Sequence, residues 1–189
     1  MNKIYFDNAA TTEISEKVIS EMMKAMKVNY GNPSSTHSHG RNSKAILELS
    51  RKTIAHKFNV NPKEIIFTSG GTESNNMIIK TVVIAQNIKR IITTRIEHKA
   101  VLSSIESIAN EKDITILFLD VDEYGLPNKQ QLIEYLENSY ERTLVSLMHI
   151  NNETGTMIDL EEFGNICKSH NALFHSDTVQ TIGHYKMDL

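Results

Sequence analysis

Ile91-Ile92-Thr93-Thr94, then a helical pattern over 99–109, then Ile114-Thr115-Ile116-Leu117-Phe118-Leu119: this stretch reads as strand, helix, strand. Both apolar runs are continuous and rich in β-branched residues, as in strands buried on both faces of a sheet. The same alternation continues outward. Toward the N-terminus, Ile65-Ile66-Phe67-Thr68 reads as a buried strand, followed by Ser69-Gly70-Gly71 and a helix over 72–86. Toward the C-terminus come a helix over 128–137, a strand over 144–148, a helix over 160–169 and a strand beginning at 172. Short strands separated by helices predict an α/β fold, a mostly parallel sheet with helices on both faces.

The first sixty residues have a different pattern. Tyr5-Phe6 reads as a short strand. Ser15 is placed to cap a helix to about 28, with Val18, Ile19, Met22, Met23 and Met26 as a core-facing stripe. Gly31-Asn32-Pro33-Ser34-Ser35 reads as a loop. A second long helix over 41–58 would turn Ile46, Leu49, Ile54 and Phe58 inward.

The chain has 189 residues, 40% hydrophobic and 23% charged, which is ordinary for one globular domain with a substantial core. A net charge of −3, without long runs of one sign, offers nothing to nucleic acid or an anionic membrane. Cys167 is the single cysteine, so no intrachain disulfide forms, and a reducing cytoplasm is expected. The N-terminus lacks the apolar run of a signal peptide. The longest apolar stretch, near Met77 to Ala85, is broken by Lys80 and is too short to cross a bilayer.

In an open parallel sheet, ligands bind beyond the carboxyl ends of the strands, and four such ends carry polar groups here. Ser69-Gly70-Gly71-Thr72-Glu73-Ser74 reads either as a phosphate cradle at a helix N-terminus or as an ordinary strand-to-helix turn. It matches neither the dinucleotide nor the Walker glycine pattern. His98, in Glu97-His98-Lys99, serves either as an acid, base or ring-facing group, or as a helix-start residue bonded to backbone. Asn151 and Asn152 suit recognition of a hydroxyl or carboxylate, or build a turn. Asp177, at the tip of Leu173-Phe174-His175-Ser176, is a carboxylate delivered by a buried strand, with Gln180 just beyond. A buried carboxylate needs a cation or several donors, and one that faces a ring nitrogen keeps it protonated, as pyridoxal phosphate requires. His37-Ser38-His39 and His175-Ser176-Asp177 lack a complete ligand set or zinc-like spacing, so no metal is expected. Cys167, beside Lys168 and His170, reads as a small apolar core residue.

These motifs, taken together, resemble the cysteine desulfurases of the NifS/IscS type, within the class V aminotransferases. The stretches that carry the resemblance run in family order: residues 5–12 (Tyr5 to Thr12), Gly31-Asn32-Pro33-Ser34-Ser35, residues 67–75 (Phe67 to Asn75), Glu97-His98-Lys99-Ala100-Val101-Leu102, Asn151-Asn152-Glu153-Thr154-Gly155 and residues 175–180 (His175 to Gln180). The resemblance implies an aspartate-aminotransferase-like cofactor domain in truncated form. Residues 1–14 would be a segment contacting the small domain and active site, and 15–189 a partial large cofactor-binding domain. It implies that Gly71 and Thr72 hold the phosphate of pyridoxal 5'-phosphate, that His98 stacks on its ring and assists proton transfer, and that Asp177 pairs with the ring nitrogen. Gln180 would bond the phenolic oxygen, and Asn152 would lie close to that oxygen and to the substrate carboxylate.

The reaction implied takes sulfur from L-cysteine, leaves alanine, and passes a protein persulfide to iron–sulfur cluster assembly or tRNA thiolation. A homodimer and scaffold or sulfur-acceptor proteins are the implied partners. The family's cofactor-anchoring lysine, within a Ser-x-His-Lys stretch, its persulfide cysteine and its carboxylate-gripping arginine have no counterpart in these 189 residues. Lys186, in Tyr185-Lys186-Met187-Asp188, lacks the motif. The expectation is therefore an N-terminal half that does not turn over cysteine alone. The alternatives are a non-catalytic module of the same fold, half of a split enzyme, or a related class V aminotransferase or lyase.

Overall fold

A computed structural model describes residues 3–187; Met1, Asn2, Asp188 and Leu189 lie outside the described residues, and so does that part of the N-terminal reading. The chain divides into two compact units, one through Phe67 joined by the last residues from Lys186, the other Thr68–Tyr185.

The second unit carries the sheet. Helix α3 (Gly71–Ala85) precedes β1 (Arg90–Thr94), α4 (Lys99–Lys112), β2 (Thr115–Leu119), α5 (Lys129–Glu137), β3 (Thr143–Ser146), α6 (Leu160–Ser169) and β4 (Leu173–His175). The strands lie in the order β2-β1-β3-β4, and every pairing is parallel. All of β1 is buried, as its uninterrupted apolar and β-branched run predicts.

Alternation along each strand assigns the two faces. Ile91 and Leu144, paired in register, pack with Ile79, Val83, Val101, Ile105 and Ile108 of α3 and α4. Ile92 and Val145, also paired, pack on the other face with Leu132, Leu136, Phe163 and Cys167 of α5 and α6. The expected helices on both faces are therefore present, each layer buried by a different set of strand positions. Each fully buried side chain of this size contributes about 1.5–3 kcal/mol.

From β1 the chain steps to β2 on one side, then crosses to β3 on the other. The crevice beyond the carboxyl ends of β1 and β3 is thus the topological switch point of the sheet, where ligands of open α/β folds bind.

Caps agree with the helix limits. Asn128 Oδ1 accepts from Gln131 N–H at 3.0 Å, and Asp159 Oδ1 from Glu162 N–H at 3.0 Å. Glu161 and Glu162 sit at the positive end of α6, and Lys129 Nζ lies 2.7 Å from Glu162 Oε1. That pair is half-exposed, so it contributes little.

In the first unit, α1 (Glu16–Val28) is capped by Ser15, whose Oγ accepts from Val18 N–H, and α2 (Ser38–Lys57) follows. Gly31, between the two helices, and Gly40, in the first turn of α2, leave no room for a side chain. A Cβ at Gly31 would meet the His39 carbonyl oxygen at 2.5 Å, and one at Gly40 the Ser35 carbonyl oxygen at 2.4 Å.

Four expectations fail over residues 5–68. The methionine stripe is not core: Val18, Met22, Met23 and Met26 are 48–67% exposed, because α1 buries no residue. In α2, Ala55 is buried and Ile54 half-buried, but Ile46 and Leu49 face out. Tyr5-Phe6 forms no strand, and neither does Ile65 to Thr68. Ile65 has extended torsions (φ −91°, ψ 119°), yet its neighbours Ile66 and Phe67 are exposed. Among the described residues no ladder partner takes up this segment. Arg51 holds it instead, with a guanidinium N–H on the Ile65 carbonyl and its charge 4.9 Å from the Phe67 ring centre.

Candidate active site at the carboxyl rim

Asp177 lies two residues past β4, and backbone pairing carries it to the rim. The β3–β4 ladder continues beyond both strands: Leu147 N–H donates to the His175 carbonyl and His149 N–H to the Asp177 carbonyl, each at 3.0 Å. The Asp177 side chain is 8% exposed. Its Oδ2 accepts from Asn75 Nδ2 at 2.7 Å, and its Oδ1 from Val179 N–H at 3.0 Å. Asn75 is buried one turn into α3, so this bond joins the start of that helix to the end of β4 across 102 residues. Among the described residues no lysine or arginine pairs with Asp177.

An open cleft of about 390 Å³ adjoins this carboxylate, walled by Gly70, Gly71, Ser74, Asn75, Ser176 and Asp177 among others. The Ser176 hydroxyl is buried with no partner. A Cβ at Gly71 would stand 2.5 Å from Val179 Cγ2, the tip of an exposed side chain that would have to turn aside. Gly71→Ala is expected to destabilise the chain by about 0.5–1.5 kcal/mol, the cost of turning the Val179 side chain off its rotamer. Val179→Ala in the same chain should recover most of the loss, so additive effects in urea unfolding would refute the contact.

The N-terminus of α3 opens on this cleft and receives no side-chain cap, whereas every other described α-helix has one. Its first free N–H groups and positive dipole end are thus available to an anion. Thr72 is exposed on this first turn, its carbonyl accepting from Asn76 Nδ2 at 3.0 Å.

The remaining sequence-derived candidates lie on the loops of the same carboxyl rim, outside the cleft wall. His98 is exposed and caps α4, its Nδ1 accepting from Ala100 N–H at 3.1 Å. That is the helix-start reading. It also places the neutral ring's proton on Nε2. In the loop after β3, Asn151 builds the turn, taking Glu153 and Thr154 N–H on Oδ1 and donating from Nδ2 to the Ile96 carbonyl at 2.9 Å. That last bond ties the β3 loop to the β1 loop. Asn152 is half-buried and donates to Glu153 Oε1 at 2.7 Å. Gln180 is half-buried in the turn that follows Asp177.

Three further groups at the rim escape a reading of the sequence. Asn75 is the donor to Asp177. Glu97, next to His98, is buried, and burial is the main cause that pushes its carboxyl up to about 7. His175 shares its Nδ1 with Ser146 Oγ at 2.9 Å, and burial lowers its pKa so that the ring stays neutral. Only Glu97 has a local signal, as an acidic residue three positions past a buried strand.

Cys167 is fully buried and its thiol is pushed up to about 12, mainly by burial. It should react with a thiol reagent only after unfolding; rapid labelling of the native chain would contradict its core placement.

The family model of the class V aminotransferases matches residues 4–189. The cysteine desulfurase IscS of Dictyoglomus turgidum is 40% identical over 189 residues, covering 99% of this chain and 47% of its own length. A solved NifS-like protein superposes with a TM-score of 0.90 at 39% identity, covering all of this chain and 52% of its own. A second solved structure, SspA in complex with cysteine, gives 0.88 at 31% identity, covering 97% and 53%. The chain spans about half the length of the relatives it matches. It belongs to the class V aminotransferase family, and the relatives it resembles there are cysteine desulfurases.

Proposed function

We propose that this chain is the cofactor-holding N-terminal part of a pyridoxal-phosphate-dependent cysteine desulfurase acting on L-cysteine. The observation that carries this reading is Asp177, a buried carboxylate on the rim cleft with two neutral donors and no cation among the described residues. A cationic ring N–H would supply the missing counter-charge. The buried, unpartnered Ser176 hydroxyl and the uncapped start of α3 also fit a polar, anionic ligand. The cysteine complex of one structural neighbour supports the substrate.

When bound, pyridoxal phosphate supplies an electron sink for bonds at the substrate's α and β carbons. The chain's own residues would do the rest. Asp177 would hold a proton on the ring nitrogen, with Asn75 and Val179 N–H fixing the carboxylate. Gly71 and Thr72 would present first-turn N–H groups to the phosphate. His98 would lie against the ring and move protons through Nε2. Gln180 would bond the phenolic oxygen, and Asn152 would lie close to that oxygen and to the substrate carboxylate. Cys167 would take no part in sulfur transfer, being buried and neutral.

The reading extends to a cytoplasmic homodimer that passes sulfur to iron–sulfur scaffold or acceptor proteins. No helix among the described residues is long and apolar enough to cross a membrane. Within it, residues 1–14 form an active-site contact segment and 15–189 the partial large domain. The test is equilibrium dialysis of the chain against pyridoxal phosphate and pyridoxine. Saturable, phosphate-dependent binding is expected, and equal or absent retention of the two would overturn the assignment.

A further inference from the structure

Glu97, past the end of β1, and Asp177, past the end of β4, are both buried acidic groups of the carboxyl rim, and they are not equally satisfied. Both oxygens of Asp177 accept hydrogen bonds, from Asn75 and from Val179 N–H. Glu97 is 7% exposed; its Oε1 accepts from Thr94 Oγ1 at 2.9 Å, and its Oε2 is buried without a partner. An ionised carboxylate with an orphaned buried oxygen is costly, whereas a neutral carboxyl in the same place costs far less. Two carboxyl groups within electrostatic reach also resist ionising together.

We propose that this rim keeps one proton and one negative charge in weakly acidic solution, the proton on Glu97 and the charge on Asp177. Glu97 is thereby a positioning residue that reserves the rim's charge for a cationic ring. The last clause rests on the cofactor reading above; the placement of the proton does not.

The surroundings of Glu97 agree. From β1 it meets the uncharged Thr94, and from the segment after β3 the backbone of Met148. From the loop after β4 it faces the Asp177 charge, behind which His175 is kept neutral by burial. Burial is the main cause that raises the Glu97 carboxyl, the Thr94 bond and the nearby Met148 backbone oppose it, and the Asp177 charge adds to it.

Infrared difference spectra of the 189-residue chain, recorded as a function of pH, test this directly. A neutral-carboxyl band should persist at pH 6, disappear through about 7, be absent in Glu97→Gln, and remain in Asp177→Asn at a lower midpoint. Thr94→Val removes a bond that favours the ionised form, so its midpoint should rise; it serves if Glu97→Gln fails to fold. With pyridoxal phosphate bound, the midpoint should fall as the ring cation offsets Asp177. A band lost in Asp177→Asn instead, no band at pH 6, or an unmoved midpoint in Thr94→Val would overturn the proton's placement. An unchanged midpoint with cofactor bound would overturn the coupling to the ring. Failure of the chain to bind pyridoxal phosphate would sink the cofactor reading alone, because the band still reports where the proton sits.

Discussion

Asp177→Ala should lower the affinity of the chain for pyridoxal phosphate about a hundredfold or more. Removing one partner of a buried charge pair typically costs ~3–5 kcal/mol, and each 1.4 kcal/mol is about tenfold in binding. Part of that cost is local. Asn75 Nδ2 and Val179 N–H, both committed to this carboxylate, would lose their acceptor. Asp177→Asn separates the contributions. Its one side-chain oxygen can accept from Asn75 or from Val179 N–H but not from both, so the unfolding midpoint should fall only part of the way to that of the alanine variant while cofactor affinity falls nearly as far. Affinity within about threefold of the parent in both variants would remove Asp177 from the site.

The second large effect is a pH dependence of folding. The Glu97 carboxyl is raised in the folded chain, from 4.5 to about 7, so the native state binds its proton more tightly than the unfolded state does. Its contribution to stability is complete below about pH 4.5 and is lost as pH rises through 7. The loss amounts to roughly 3 kcal/mol once the group is ionised, because each tenfold gain in proton affinity on folding is worth about 1.4 kcal/mol. His175 acts in the opposite sense. Burial depresses it below 6.5, so its contribution is present above that pH and is lost as pH falls through its folded value. The two overlap in weakly acidic solution, and the informative quantity is therefore the difference between parent and Glu97→Gln. Measured by urea unfolding from pH 5 to 8.5, the variant should gain on the parent with rising pH by about that amount. Parallel curves would show that Glu97 carries no raised pKa.

Much of this architecture was legible from periodicity. The run from Ile91 to Leu119 announced a strand–helix–strand unit, and α6 falls on the expected residues because Asp159 caps its start and a left-handed Asn171 lies just past its end. What periodicity reports is which face of an element is apolar, not whether anything covers it. The α1 methionines satisfy a core pattern yet remain exposed, and Ile65 to Thr68 has the composition of a strand without a ladder neighbour among the described residues.

The site divides in the same way. Asp177 was visible because an acidic residue at the tip of an apolar run is anomalous on local grounds. Asn75 was not, since an asparagine one turn into a helix has no distinguishing mark until the fold brings it within 2.7 Å of a residue 102 positions away. Glu97 stood beside a residue that drew attention, but its importance comes from burial and from Asp177, both products of the crossover that places β3 beside β1.

If the carboxyl rim of this sheet keeps a proton on a pyridine nitrogen, the bound ring itself should show it. The most direct measurement is the nitrogen-15 resonance of ring-labelled pyridoxal phosphate bound to the 189-residue chain at neutral pH. A protonated ring nitrogen in the parent that becomes unprotonated in Asp177→Asn is the predicted result. An unprotonated nitrogen in the parent, or the same protonation state in both, would contradict it.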